Sequence, residues 1–479
     1  MISTNGTPRT LRTLLLNLPY KVRLVRRYMC SYQSPNILYP PMELLALGGI
    51  VREKHADVAL LDAVAEECDL DAVSRRIREF RADMIVTLTG FACLDDDAAA
   101  ICEIKRRHPD VTLVVCGYYP TLFPRDFLAN LPIDYVVLGE PDLIFSDLYD
   151  CLAHGGDLSS VSGIARRGVD GEPIVQGHAH RISDVGRLPR PAYELLQIDG
   201  YSEPFFPRPY AAIQSARGCP FGCSFCVRSF GRKLTLTGAD EVLDDLRFLK
   251  DRFHIRAFRF VDDTFTAVEE RVVNLCRMMV DADLGLEWSC LSRADTLNDT
   301  MLGWMRRAGC RRIYFGIESG SQRILDRYHK GVKADEMLRN LLLCKEHHME
   351  TMGFFMIGMP GETREDFEQT MQLAARAKLD YYGGTELIAY PGTELYTQVA
   401  EQVEFNLFPY VNRFKNREFE RQQREWKKEF YRRFYFRPSV VFRFARTAWS
   451  HPADVFGGTA KMVSFLLSRQ PTAKRDEMF

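Results

Sequence analysis

Three cysteines in one short loop constrain this chain more than any other feature. They are Cys219, Cys223 and Cys226, in the run Gly218-Cys219-Pro220-Phe221-Gly222-Cys223-Ser224-Phe225-Cys226. Gaps of three and then two residues let the thiols turn to one side, where they can cover one face of an iron–sulfur cubane. An ordinary four-cysteine cluster needs another thiolate close by, and the next cysteine is Cys276, well down the chain. One iron would therefore stay open to a further ligand. Phe225 places an apolar ring directly before the third thiolate, beside that iron. The bland readings are three incidental buried thiols or a zinc knuckle, but zinc takes four ligands, usually from paired Cys-x2-Cys units.

A chain of 479 residues exceeds one ordinary core, so two or three domains are expected. A hydrophobic share of 46% with 27% charged residues fits a globular protein, and a net charge of −1 argues against a generally basic nucleic-acid binder. No apolar run is long enough to span a bilayer, and the first residues lack the regions of a signal peptide. An odd count of 13 cysteines, with one tight trio, points to a reducing cytoplasm and a metal site. The other ten read as buried small hydrophobes, with Cys290 and Cys310 near strand ends.

Residues 10–154 alternate short apolar runs at 14–18, 58–62, 84–88, 112–116 and 135–138 with helical patterns. This predicts an α/β domain with a flavodoxin-like doubly wound parallel sheet, whose ligand would sit outside the carboxyl ends of the strands. Those ends carry Thr89, then Gly117 and Tyr118, then Gly139 and Glu140. Residues 155–210 form a Gly- and Pro-rich linker with a hairpin signal at Val169-Asp170-Gly171; His178 and His180 there read as solvated loop histidines.

Residues 211–395 alternate strand and helix patterns six times, with strands expected at 211–215, 257–261, 287–291, 312–316, 353–357 and 385–389. This predicts a partial (β/α)6 barrel with function at the carboxyl ends of its strands. The cysteine loop follows the first of them. Asp262 and Asp263 end the second, Arg293 the third, Glu318 the fourth and Gly358 the fifth, with Lys330 in His329-Lys330-Gly331. Acidic pairs at strand ends are commonly helix caps, so each alone is weak. Residues 396–479 predict a helical tail, in which Arg413 to Arg446 interleaves cations with Phe, Tyr and Trp. The favoured reading packs those aromatics on the barrel; a cap on a substrate channel and contact with a membrane surface are the alternatives.

The Cys-x3-Cys-x-aromatic-Cys loop resembles that of the radical S-adenosylmethionine (SAM) superfamily, and Gly316-Ile317-Glu318-Ser319 resembles the family's Gly-Ile-Glu-Ser pattern. Pro40-Pro41-Met42-Glu43 and Val137-Leu138-Gly139-Glu140-Pro141 are similar to signatures of the cobalamin-binding (Rossmann-like) domain of one radical SAM class. The resemblance covers roughly residues 10–395, and the tail is similar to that of the anaerobic Mg-protoporphyrin ester cyclase branch. It implies a 4Fe–4S cluster on Cys219, Cys223 and Cys226 whose open iron is chelated by SAM. It further implies SAM contacts from Phe225, Asp262, Asp263, Arg293, Glu318, Lys330 and Gly358. The Asp-x-His-x-x-Gly motif is absent, so cobalamin held near Thr89, Gly117, Tyr118, Gly139 and Glu140 would lack a lower histidine. The implied chemistry is a 5′-deoxyadenosyl radical and methylation of an unactivated carbon of a lipid, tetrapyrrole or natural product. Cyclisation without methyl transfer is the competitor, and RNA methylthiolation and a non-enzymatic sensor fit less well. An electron donor such as flavodoxin or ferredoxin would serve the cluster, and no nucleic acid is expected.

Overall fold

The structure is a computed structural model that describes residues 10–442 apart from 29–30, 34–36, 178–180, 229 and 439. His178, His180 and the end of the tail lie outside the described residues. The chain divides into two compact units. One is Met1–Tyr201 with Thr235–Thr237 and Leu407–Tyr410; the other is Ser202–Leu234, Gly238–Asn406 and Val411–Phe479.

The first unit is built on β1 (Thr13–Asn17), β2 (Val58–Asp62), β3 (Met84–Leu88), β4 (Thr112–Cys116), β5 (Tyr135–Val137), β6 (Ile164–Arg167) and β7 (Pro173–Gln176). Their order is β2-β1-β3-β4-β5-β6-β7. The first five are parallel, in flavodoxin order, and β6–β7 add to the far edge as an antiparallel hairpin. β1 and β3 are mainly apolar and buried along their whole length, as strands of a parallel sheet covered on both faces should be. The longer helices are α1 (Met42–Glu53), α2 (Leu70–Phe80), α3 (Leu94–Arg107) and α4 (Pro141–His154), with short helical turns at Tyr118–Leu122 and Pro124–Asn130. Asp69 caps α2 by accepting from the Ala72 N–H at 2.8 Å, and Pro141 starts α4 where no N–H is needed. The segment after the hairpin is clamped on α1. Ala192 N–H bonds the Leu45 carbonyl at 2.9 Å, and a Cβ on Gly49 would meet the Arg190 carbonyl oxygen at 2.4 Å.

The second unit is a six-stranded parallel sheet in sequence order: β8 (Tyr210–Ile213), β9 (Ala257–Phe260), β10 (Glu287–Ser292), β11 (Cys310–Glu318), β12 (Glu350–Ile357) and β13 (Tyr381–Glu386). Helices α5 (Ala239–Phe253), α6 (Glu269–Asp281), α7 (Asp299–Arg307), α8 (Ala334–Glu346) and α9 (Arg364–Arg376) alternate with the strands, giving the partial barrel. Glu203, on the approach to β8, is fully buried. It accepts from Tyr210 Oη at 2.5 Å, Tyr314 Oη at 2.7 Å and Ser289 Oγ at 3.0 Å. Burial would neutralise this carboxylate, but Arg259 and Arg312 beside it hold its pKa below the usual range. The last strand lies at Tyr381–Glu386 rather than the expected 385–389. Gly383-Gly384 reads as a break, yet a Cβ on Gly383 would strike the Phe354 ring at 2.8 Å, so the strand needs glycine there.

The tail supplies α10 (Arg417–Tyr435), capped by Asn416, whose Oδ1 accepts from Glu418 and Phe419 N–H. Its aromatic stripe is spent on the barrel, as the favoured reading expected: Phe430 stacks on Tyr382 at 4.2 Å and Trp426 packs on Phe367 at 5.3 Å. Arg433 pairs with Glu368 and Glu429. Among the described residues no helix is long and apolar enough to cross a membrane.

Candidate active site

The cysteine loop follows β8 and is pinned along its length. Gly218 has φ +89° and sits so close to Lys233 that a Cβ would lie 2.3 Å from its carbonyl oxygen. Cys219 N–H donates to Gly231 O at 3.1 Å, and Cys226 N–H to Cys223 O at 3.3 Å. Ser224 uses both its N–H (3.1 Å) and its Oγ (3.2 Å) on the Tyr328 carbonyl. The Phe225 ring is buried with Tyr328, Ile324 and Met359. Burial, aided by Cys223, Cys219 and Asp263, pushes the Cys226 thiol up to about 12, with Lys330 opposing. A free thiol there stays protonated, and only a bound metal would take the proton's place. Among the described residues no three His, Cys, Asp or Glu side chains converge on a point fit for one ion. A cubane asks for something else, one thiolate per iron across a face.

Arg293 stands against this loop. Its Nη1 donates to Cys223 Sγ at 3.6 Å, its guanidinium lies 3.7 Å over the Phe221 ring, and it forks onto Asp295 at 3.0 and 2.8 Å. Its Nη2 also reaches the Lys330 carbonyl at 2.8 Å. Asp262 is likewise committed within the fold, accepting from Ser215 N–H at 2.6 Å, Ser215 Oγ at 2.5 Å and Ala216 N–H at 2.9 Å. It thereby fixes the chain between β8 and the cysteines. Asp263 contributes charge near Cys226. Glu318, at φ +66° where β11 slips register against β12, meets Lys330 Nζ at 3.1 Å. Both are largely buried, and a Cβ on Gly316 would lie 2.6 Å from the Glu318 carboxylate, so glycine leaves room for the pair. Gly358 ends β12 with φ +73°. The space beside its Cα is filled by Gln423 of α10, whose Cγ a Cβ would meet at 2.3 Å.

Among the contacts to the thiol loop that the sequence reading passed over are Thr264 and the Tyr328 carbonyl. Thr264 Oγ1 lies 3.5 Å from Cys219 Sγ, and its place after the acidic pair was the available signal. The Tyr328 carbonyl had none, because a backbone acceptor leaves no mark in the side-chain pattern.

In the first unit, the residues expected at the carboxyl ends of the strands gather after β3, β4 and β5. Gly117 has φ +137° and packs so that a Cβ would lie 3.1 Å from the Thr89 carbonyl oxygen. Thr89 Oγ1 is buried with no hydrogen-bond partner among the described residues. Gly139, at φ +68°, donates its N–H to Thr121 Oγ1 at 3.0 Å. Tyr118 packs edge-on against Phe91 at 5.4 Å. Glu140 is turned to the following segment, accepting from Ile182 N–H at 3.2 Å and facing Arg181 at 3.5 Å.

Comparison with known proteins accords with this geometry. The B12 binding domain family matches residues 35–148 and the Radical SAM superfamily residues 213–374. A Pyrococcus horikoshii protein named an uncharacterized methyltransferase is 33% identical over 74% of this chain and 78% of its own length. The chain is a cobalamin-binding radical SAM protein. The anaerobic magnesium-protoporphyrin IX monomethyl ester cyclase of Rubrivivax gelatinosus is 27% identical over 76% of this chain and 67% of its own. The radical SAM methyltransferase TsrM of Kitasatospora setae shares the fold, with a TM-score of 0.68 at 19% identity over 82% of this chain and 76% of that one.

Membership brings a 4Fe–4S cluster, SAM and cobalamin as cofactors, and makes this radical SAM protein an enzyme. The residues present fit that set. Three thiols share one pinned loop, with Arg293 already donating to one sulfur. The unpartnered Thr89 hydroxyl, beside a close-packed glycine, is a polar atom left for a ligand.

Proposed function

We propose that this enzyme methylates an unactivated carbon of a small molecule, lipid or tetrapyrrole. When bound, the cluster and SAM supply a carbon-centred radical and cobalamin supplies the methyl group; the protein positions them and excludes water. Cys219, Cys223 and Cys226 hold the cluster, with Phe225 as an apolar neighbour and Arg293 lending positive charge to Cys223. Glu318, Lys330 and Asp263 receive the polar groups of SAM, and Gly358 borders its nucleoside, while Asp262 sets the course of the chain into the loop. Thr89, Gly117, Tyr118, Gly139 and Glu140 shape the cobalamin edge. The observation that carries methyl transfer is the 33% identity, over most of both chains, to a protein named a methyltransferase. Cyclisation is the second reading, favoured by the likeness to the cyclase.

An acidic one-electron donor such as flavodoxin or ferredoxin suits the exposed Arg232 and Lys233 that follow the cluster loop. Peripheral membrane contact would run through Phe436, Val441 and Phe442, which are exposed.

The test is anaerobic reconstitution with SAM, reductant, methylcobalamin and candidate substrates. Methyl transfer yields 5′-deoxyadenosine and S-adenosylhomocysteine together, with two SAM consumed per methylated product. 5′-Deoxyadenosine alone, with an unmethylated, oxidised product, would shift the assignment to cyclisation. No 5′-deoxyadenosine under any condition would remove the radical reading.

A further inference from the structure

Gly358 is gripped from both sides. Its N–H donates to Glu362 Oε2 at 2.7 Å, alongside that of Met359 at 2.9 Å. Its carbonyl accepts from Gln423 Nε2 at 2.7 Å. A Cβ on Gly358 would lie 2.3 Å from Gln423 Cγ and 3.1 Å from Gln423 Cα, so the backbone of α10 passes directly over this loop. Gln423 is 3% exposed on a helix otherwise crowded with charge, and a buried amide is tolerated only with a partner. Its partner is the Gly358 carbonyl. Docking of the helix does not depend on that amide, because Trp426, Phe430 and Phe434 already supply an apolar contact with α9 and β13.

We infer that Gln423 is a positioning residue for SAM: from outside the barrel it fixes the Gly358–Gly361 loop, and through that loop the nucleoside end of SAM. The inference rests on the reading of Gly358 as a SAM contact. A loop already ordered in the free protein loses little freedom on binding, whereas a loosened one must be ordered at the expense of affinity. Releasing one buried carbonyl from its donor weakens the arrangement by roughly the worth of a hydrogen bond, which is about a tenfold change in affinity.

The experiment uses the full-length, anaerobically reconstituted protein and measures SAM binding by equilibrium dialysis, with 5′-deoxyadenosine formation giving KM and kcat. Gln423→Met keeps the side chain's length and removes the donor; Gln423→Leu is the second variant. Trp426→Ala loosens the same helix away from the loop. In both Gln423 variants the Kd and KM for SAM should rise about tenfold. Iron content and kcat at saturating SAM should stay within about twofold, the precision expected of context-dependent effects. Trp426→Ala should lower the melting temperature and leave KM unchanged. Unchanged SAM affinity in the Gln423 variants overturns the inference alone, and so does an equal rise in Trp426→Ala. Loss of folding in both Gln423 variants assigns the residue to stability and likewise overturns it. Failure of the wild type to bind SAM overturns the parent reading.

Discussion

At the scale of single residues, two side chains carry free energy that the apo fold does not recover. A buried hydroxyl without a partner costs about 1 kcal/mol or more, and Thr89 Oγ1 is such a group at the edge where cobalamin is expected. Thr89→Val should therefore keep or raise the melting temperature while weakening cobalamin retention several-fold, read from cobalamin absorbance that co-elutes on gel filtration. Equal retention would take Thr89 out of the site. Glu362 is the second. Burial raises its carboxyl to about 7 against the pull of the Met359 and Gly358 N–H groups. The folded state thus binds this proton more tightly than the unfolded chain, and the group's contribution is full below about 4.5 and lost as pH rises towards about 7. Glu362→Gln escapes that loss, so its stability relative to wild type should improve steadily across that window, measured as the urea midpoint against pH. Much at this scale was legible: the thiol spacing named its own chemistry. Arg293 illustrates the limit. The sequence marks it as a strand-end cation, but only packing shows that four of its five N–H donors are engaged, with Cys223, Asp295 and the Lys330 carbonyl.

Among the elements, α10 and β13 depend on each other. Phe430 is fully buried and stacked on Tyr382, so Phe430→Ala should cost about 3–5 kcal/mol, visible as a lowered urea midpoint with a similar slope. A loss below about 1 kcal/mol, the range of ordinary surface changes, would mean that the helix is held elsewhere. The parallel strands of the first unit were readable almost to the residue because each is a short, mainly apolar run between polar turns. β13 was misplaced because its glycines carry no side chain to register; their purpose lies in Phe354 and in the aromatics of α10, far away in sequence. Gln423 was invisible for a related reason. Mid-helix glutamine is ordinarily a solvent residue, and its burial follows from the approach of Gly358.

The molecule as a whole contains two units, each with its own sheet and core. Calorimetry should resolve two transitions, because each cofactor stabilises only the unit that binds it, by an amount set by its concentration over Kd. Cobalamin should raise one and SAM the other; a single transition moved by both would mean the units melt together. Each unit repeats its own strand–helix rhythm along the chain. The grip on Gly358 also has a consequence for how the protein comes into being. The carbonyl of residue 358 is synthesised 65 residues before the amide that satisfies it. A nascent barrel with all six strands already translated is therefore still unfinished at this loop. Translation that stops before α10 leaves this carbonyl without its donor and Tyr382 without its aromatic cover.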